Sequence, residues 1–323
     1  MPLVASCAGG SATAFGGLRT FVFGPPAGDA GFLMASWSNV MDISFSTTGT
    51  VNSFGDLSTA SGIGGSQPCG GVCSATRLVI LGGYNQPTGA SKTTIWYSDI
   101  ATRNTGASFG SLSVGIYSGG QCNTSTRGLA FVGYAASGGD MQYITIATTG
   151  NSTFFGYGRQ MDYINGCLTS ATRGLSWGSQ YGGQNPWIDY VTMASTGNYT
   201  NFGSMTQASN QVCTGASTTR GMGVGILYNS YPNQTNEYVT IASTGNSAAF
   251  GNLGVKTNVL FGCAKASSIF VVAGGYNSSS VTLNTISYFT IATTGNSTSW
   301  GTLANAAAHG GASGTISNCH GGN

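Results

Sequence analysis

Six near-copies of one phrase punctuate this chain and narrow what it can fold into. "YITIATTGNSTFFG" runs from Tyr143 to Gly156, "YVTMASTGNYTNFG" starts at Tyr190, "YVTIASTGNSAAFG" at Tyr238 and "YFTIATTGNSTSWG" at Tyr288. Two looser copies precede them, "YSDIATRNTGASFG" from Tyr97 and "DISFSTTGTVNSFG" from Asp42. The aromatic residues that anchor the copies are Phe54, Phe109, Phe155, Phe202, Phe250 and Trp300, at spacings of 55, 46, 47, 48 and 50 residues. Such a period belongs to supersecondary units that cannot bury their faces alone and must stack.

Each unit divides into four short runs. In the third they are a segment around Cys122, "RGLAFVG" from Arg127, "YITIAT" from Tyr143 and "TFFG" from Thr153. Alternation puts Ile144 and Ile146 on one face of a strand and Tyr143 and Thr145 on the other, and the β-branched content suits a strand. Thr-Gly-Asn separates the third run from the fourth, and the glycines at 49, 150, 197, 245 and 295 are expected to turn with a positive φ. The second copy has Asn104 at that place, where Asn is expected to take the same left-handed geometry.

At the N-terminus "RTFVFG" from Arg19, the Asp42 copy and Phe54 read as the second, third and fourth strands of a blade. A first strand is available from "GTISNCHG" around Cys319 or from "VASCAGG" around Cys7. The expected fold is therefore all-β: a six-bladed β-propeller with four-stranded blades, a single domain over residues 1–323, closed by pairing of N- and C-terminal strands. Charged residues make up only 6% of the chain and the net charge is +2, which speaks against nucleic-acid binding. No apolar run of about 18 residues is present to insert in a membrane, and the first residues lack the pattern of a secretory signal.

The Gly82-Gly83 and Gly274-Gly275 pairs, the aromatic third strand and the Phe or Trp opening the fourth resemble kelch repeats. The "YVTIASTGN...FG" units, each followed by a Cys and a Thr-Arg segment, more specifically resemble repeats in virion structural proteins of tailed phages that infect cyanobacteria. That resemblance covers essentially the whole chain. It departs from the pattern where Gly-Gly is missing in repeats one, four and five, and where Ser267 and Ser268 replace Thr-Arg in repeat six. The resemblance implies a non-enzymatic virion component of a tail, fibre or capsid-attached appendage, made in the host cytoplasm. Its implied partners are other virion proteins and a host-surface receptor or glycan, with no cofactor.

Alternating strand direction puts the Thr-Arg and Thr-Gly-Asn turns on one face and the variable connections on the other. Variable loops on a rigid scaffold are where recognition sits, so Tyr84, Trp96, Tyr181, Trp187, Tyr231 and Tyr276 are candidates for a ligand or receptor face. A glycan-binding adhesin, with these rings stacked on sugars, is the alternative function. Arg77, Arg127, Arg173 and Arg220 recur at one position and form a candidate ring, either docking an acidic partner or bracing neighbouring blades. Cys73, Cys122, Cys167, Cys213, Cys263 and Cys319 recur once per repeat on innermost strands, as packing residues and not as metal ligands. Cys7 with Cys319, or Cys69 with Cys73, could form disulfides. The Thr-Gly-Asn turn is also similar to the Asp-box turn of sialidase propellers, which would imply glycoside hydrolysis. One glutamate, Glu237, two histidines, His309 and His320, and seven aspartates offer few paired carboxylates for it, and no catalytic residue is assigned.

Overall fold

A computed structural model describes residues 29–34, 39–49, 51–56, 66–67, 70–85, 88–103, 106–116, 119–131, 139–159, 166–180, 182–209, 212–228, 231–232, 235–258, 260–265 and 268–307. Among the described residues every regular element is a strand, and six antiparallel sheets form a six-bladed β-propeller. Blade 2 runs Gly71–Cys73, Arg77–Leu81, Ala90–Asp99 and Ala107–Ile116, and blade 3 runs Gln121–Asn123, Arg127–Phe131, Asp140–Thr145 and Thr153–Tyr157. Blade 4 comprises Gly166–Thr169, Arg173–Gln180, Gln184–Thr192 and Thr200–Ser204. Blade 5 has Cys213–Ala216, Arg220–Val224, Thr235–Thr240 and Ala248–Asn252, and blade 6 has Phe261–Lys265, Ile269–Ala273, Thr285–Thr290 and Thr298–Thr302.

The core lies between blades, because both faces of each sheet are apolar. Ile144 and Ile146 of blade 3 pack with Val79, Leu81, Ile95 and Phe109 of blade 2, while Leu129, Phe131 and Phe155 of blade 3 pack with Val191 and Met193 of blade 4. The anchoring aromatic is buried in each repeat, and Phe155, 1% exposed, contributes roughly 1.5–3 kcal/mol by its burial. The third-strand tyrosine meets it edge to face, with centroids 6.0 Å apart for Tyr143–Phe155 and 5.6 Å for Tyr288–Trp300.

The Thr-Gly-Asn turn proves to be a clasp between blades. Gly245 N–H donates to the Phe202 carbonyl at 2.8 Å, Ser204 N–H donates to Asn246 Oδ1 at 3.0 Å, and Ser247 N–H donates to the Ser204 carbonyl at 3.0 Å. The same three bonds join Gly150, Asn151 and Ser152 to blade 2, Gly197, Asn198 and Tyr199 to blade 3, and Gly295, Asn296 and Ser297 to blade 5. Each turn thereby satisfies the open edge of the preceding blade's fourth strand, which would otherwise expose unpaired backbone groups. This corrects the expectation about φ: of the turn glycines only Gly49 is left-handed, at φ 83°. The glycine that packing demands is the one after the anchoring aromatic, since a Cβ at Gly110, Gly156, Gly203 or Gly251 would strike the carbonyl of the next blade's turn glycine. Asn104 lies outside the described residues; beside it Arg103 has φ 49°.

Blade 1 corrects a second expectation. Ala30–Met34, not "RTFVFG", is the second strand: it pairs with Asn39–Ser44, which pairs with Val51–Asp56. "AGFLM" supplies five buried residues, and a Cβ at Gly31 would strike Cys263 of blade 6, just as one at Gly174 would meet Cys122 of the preceding blade. Residues 19–24, Cys7 and Cys319, and hence the pairing of terminal strands, lie outside the described residues. The ring nonetheless closes, because Leu33, Ile43 and Phe45 share one core with Phe261, Val271 and Trp300.

The bend after the second strand is left-handed in blades 2, 5 and 6, at Gly82 (φ 70°), Gly225 (69°) and Gly274 (65°), and blade 4 makes the same bend inside its longer second strand, at Gly178 (73°). Repeats four and five therefore keep the bend with one glycine where Gly-Gly is missing. Beyond it the connections add small sheets on that face, Ser66–Gln67 with Tyr84–Asn85 and Thr257–Asn258 with Tyr276–Asn277.

Candidate functional site

The four arginines begin at a tight turn. Ser74, Thr124, Ser170 and Ser217 each accept the arginine N–H three residues on, at 3.0–3.2 Å, which fixes the start of the second strand. Each guanidinium lies over the tyrosine of its own blade: Arg77 is 4.7 Å from the Tyr97 centroid, Arg127 4.5 Å from Tyr143, Arg173 4.5 Å from Tyr190 and Arg220 4.8 Å from Tyr238. Its Nη1 donates across the interface, to the carbonyls of Ala147, Met193, Ile241 and Ala292 respectively, at 2.6–2.8 Å. The geometry is that of a brace between successive blades.

Blades 1 and 6 lose this arginine: blade 6 has Ile269 in its place, after Ser268, while in blade 1 another arginine supplies the charge. Blade 1 has Ala30 for the arginine and Asp42 for the tyrosine, and Arg103 reaches back from the turn of blade 2 to Asp42 at 2.8 Å and to the Ser53 carbonyl at 2.9 Å. Asp42 is 1% exposed, and burial raises its carboxyl above the ordinary value although Arg103 pulls the other way.

The six aromatics placed on the loop face fare differently. Tyr276 is exposed and pairs with Asn258 on that face. Tyr84 and Tyr231 have their backbones in two-residue strands there, and Tyr181 lies outside the described residues. Trp96 is not a loop residue: it sits on the third strand of blade 2, buried against Phe32, Met34 and Phe54 of blade 1. Trp187 also lies on a third strand, paired with Ser204, half-buried beneath Arg159. Both stand within three residues of the tyrosine that opens the repeat phrase, and every third strand from blade 2 to blade 6 begins at least that far before its tyrosine, at Ala90, Asp140, Gln184, Thr235 and Thr285.

Around Trp187 the structure brings together residues that sequence reasoning missed. Arg159, four residues after Phe155, lies 4.2 Å from the Trp187 ring and 5.1 Å from Tyr199, and holds the buried Asp189 through two bonds of 2.8 and 2.9 Å. That bidentate contact holds the guanidinium pKa above its usual value. Tyr199 is joined by its N–H to the Tyr157 carbonyl, and the Tyr157 ring meets Phe154 edge to face at 5.1 Å. Phe154 and Tyr157 are 47% and 56% exposed, so large rings stand open to solvent on the outer rim of blades 3 and 4. The other repeats have no ring at these places: Ser53, Ser108, Asn201, Ala249 and Ser299 for Phe154, and Asp56, Ser111, Ser204, Asn252 and Thr302 for Tyr157. Tyr199 likewise replaces Ser152, Ser247 and Ser297. The signal was present in the alignment, as a departure from the repeat inside the phrase itself.

The thiols share innermost strands but not one position. Cys73 pairs with Leu78, Cys122 with Leu129, Cys167 with Ser176 and Cys213 with Val224, so each lies one residue further from its turn than the last. A level ring is thereby ruled out for these four. All five described cysteines are buried between blades, and desolvation pushes the Cys122, Cys167 and Cys213 thiols up. Among the described residues the buried carboxylates are committed to structure: Asp29 to Ser44 and Ser46, Asp42 to Arg103, Asp189 to Arg159, and Glu237 to Thr206 and Ser247. No protein-family model matches the chain, and no curated protein matches it significantly.

Proposed function

We propose that this propeller is a non-enzymatic virion component of a tail, fibre or capsid-attached appendage, and that the rim patch of Phe154, Tyr157, Tyr199, Trp187 and Arg159 is its attachment surface. The observation that carries the reading is the concentration of rings at one interface, at positions where the other repeats have no aromatic residue. Tyr, Trp and Arg dominate the energetics of protein interfaces because they bury area at little entropic cost. The repeat resemblance supports the virion context, and the commitment of Asp42, Asp189 and Glu237 to structural partners supports a role without catalysis. The arginine ring serves in this reading as bracing, which leaves the Thr-Arg face uniform.

A glycan-binding adhesin is the second reading, favoured by the exposure of Phe154 and Tyr157 beside Thr153, Asn198 and Thr200, which can bond sugar hydroxyls. The test is the double variant Phe154→Ser/Tyr157→Ser, built from residues that other repeats carry. Binding to cyanobacterial cells should fall at least about tenfold, as loss of one hot-spot residue predicts, with an unchanged urea midpoint. A parallel glycan array separates sugar from protein contact, and unchanged binding to cells overturns the assignment.

A further inference from the structure

The residue just before the third-strand tyrosine fills the gap between successive blades, and one blade lacks it. Gln142, Asp189 and Glu237, each 1–2% exposed, project their side chains to the last part of the preceding blade's fourth strand, in the case of Gln142, or to the residues just after it. Gln142 Oε1 accepts from Ser113 N–H at 2.8 Å and from Ser152 Oγ at 2.7 Å. Glu237 accepts from Thr206 N–H at 3.1 Å and from Ser247 Oγ, and Asp189 accepts from Arg159. In blades 2 and 1 the position holds Trp96 and Met41, packed on the blade before. Blade 6 has Ser287 there, half-buried and too short to reach.

The donors remain at that interface. Gly254 stands where Ser113 and Thr206 stand, and Ser297 where Ser152 and Ser247 stand; Gly254 N–H bonds Ser297 Oγ at 3.1 Å, leaving that hydroxyl's proton to point elsewhere. Between them is a cleft of about 270 Å³, with apolar walls from Leu253, Leu260 and Val272, hydroxyls of Ser287 and Ser299, and Val255, 46% exposed, at its mouth.

We propose that this cleft between blades 5 and 6 binds a small aliphatic carboxylate or carboxamide, whose acyl oxygen takes the place that the Gln142 and Glu237 side chains fill elsewhere. Ser297 O–H donates to that oxygen, Gly254 N–H shares its hydrogen between it and Ser297 Oγ as Ser113 N–H does between Gln142 Oε1 and Ser152 Oγ, and the short chain lies on the leucine and valine walls. The fit calls for a planar acyl head, so an alcohol of equal length is a poor ligand.

The experiment titrates butyrate, butyramide and 1-butanol into the intact chain, reading ¹H–¹⁵N shifts of Gly254 and Ser297. Butyrate or butyramide should shift both signals saturably, with 1-butanol at least about tenfold weaker, as loss of one hydrogen bond predicts. Ser287→Gln should fill the cleft from within and abolish the shifts. Should that variant not fold, Ser297→Ala, at a half-exposed position, should weaken binding about tenfold. No saturable shift in the parent, equal response to 1-butanol, or unaltered binding in Ser287→Gln or Ser297→Ala overturns the proposal.

Discussion

The two glycines of the clasp make opposite demands, so exchanging each for alanine separates packing from turn geometry. At Gly203 a new Cβ would run into the carbonyl of Gly245, which is backbone held on both sides and cannot swing away. The turn would have to lift from the fourth strand of blade 4, weakening the bonds from Gly245 N–H, Ser204 N–H and Ser247 N–H. At a net 0.5–1.5 kcal/mol each, losing two or three of them costs about 1–4.5 kcal/mol. At Gly245 itself a Cβ meets nothing within 4 Å, and φ is not left-handed, so alanine there should lie within about 1 kcal/mol of the parent, helped by a less flexible unfolded chain. Urea unfolding followed by tryptophan fluorescence measures both, with the slope checked for constancy. Equal effects, or a larger loss for Gly245→Ala than for Gly203→Ala, would show that turn conformation and not close approach selects glycine.

Three further outcomes are expected. Arg127→Ala, which removes the bond to the Met193 carbonyl and the stacking on Tyr143, should destabilise by about 2 kcal/mol in urea while leaving attachment through the rim unchanged; a loss of attachment at full stability would return the ring to docking. Because the Asp42 carboxyl is raised in the fold, its titration favours the folded state below the ordinary 3.8, and that contribution is lost as pH rises past the raised value. The parent should therefore gain on Asp42→Asn as pH falls from about 7 to about 4, and urea midpoints showing the opposite slope refute the sign. Attachment through the proposed rim surface, with so few charges available, should resist added salt; release by ionic strength alone in a sedimentation assay counts against it.

The period and the Phe or Trp anchors were enough to read six blades, because strand alternation and turn composition are local properties. What escaped were relations between blades. Nothing within one repeat says that Asn151 accepts a bond from Ser111 of the blade before, or that Gly156 is glycine because of Gly197. "AGFLM" was hidden because Ala30 replaces the arginine that marks second strands elsewhere, and "RTFVFG" imitates that mark with Arg19. The drift of the thiols was legible: Cys73 precedes its arginine by four residues, Cys122 by five, Cys167 by six and Cys213 by seven. The rim patch was not singled out because candidate recognition residues were sought in the variable loops, whereas Phe154 and Tyr199 lie inside the repeat phrase itself.

The clasp also gives the ring a direction in time. As the chain is synthesised, the fourth strand of each blade keeps a bare edge until the turn of the next repeat has been made, some forty residues later in the case of Phe109 and Gly150. A nascent chain therefore always carries one open edge, at its newest blade, and that edge is a template for pairing with a neighbouring chain. For the last blade the neighbouring turn is the oldest, since Gly301 lies against Gly49. A chain released early, after any blade but the sixth, is left with an edge that only another molecule can cover.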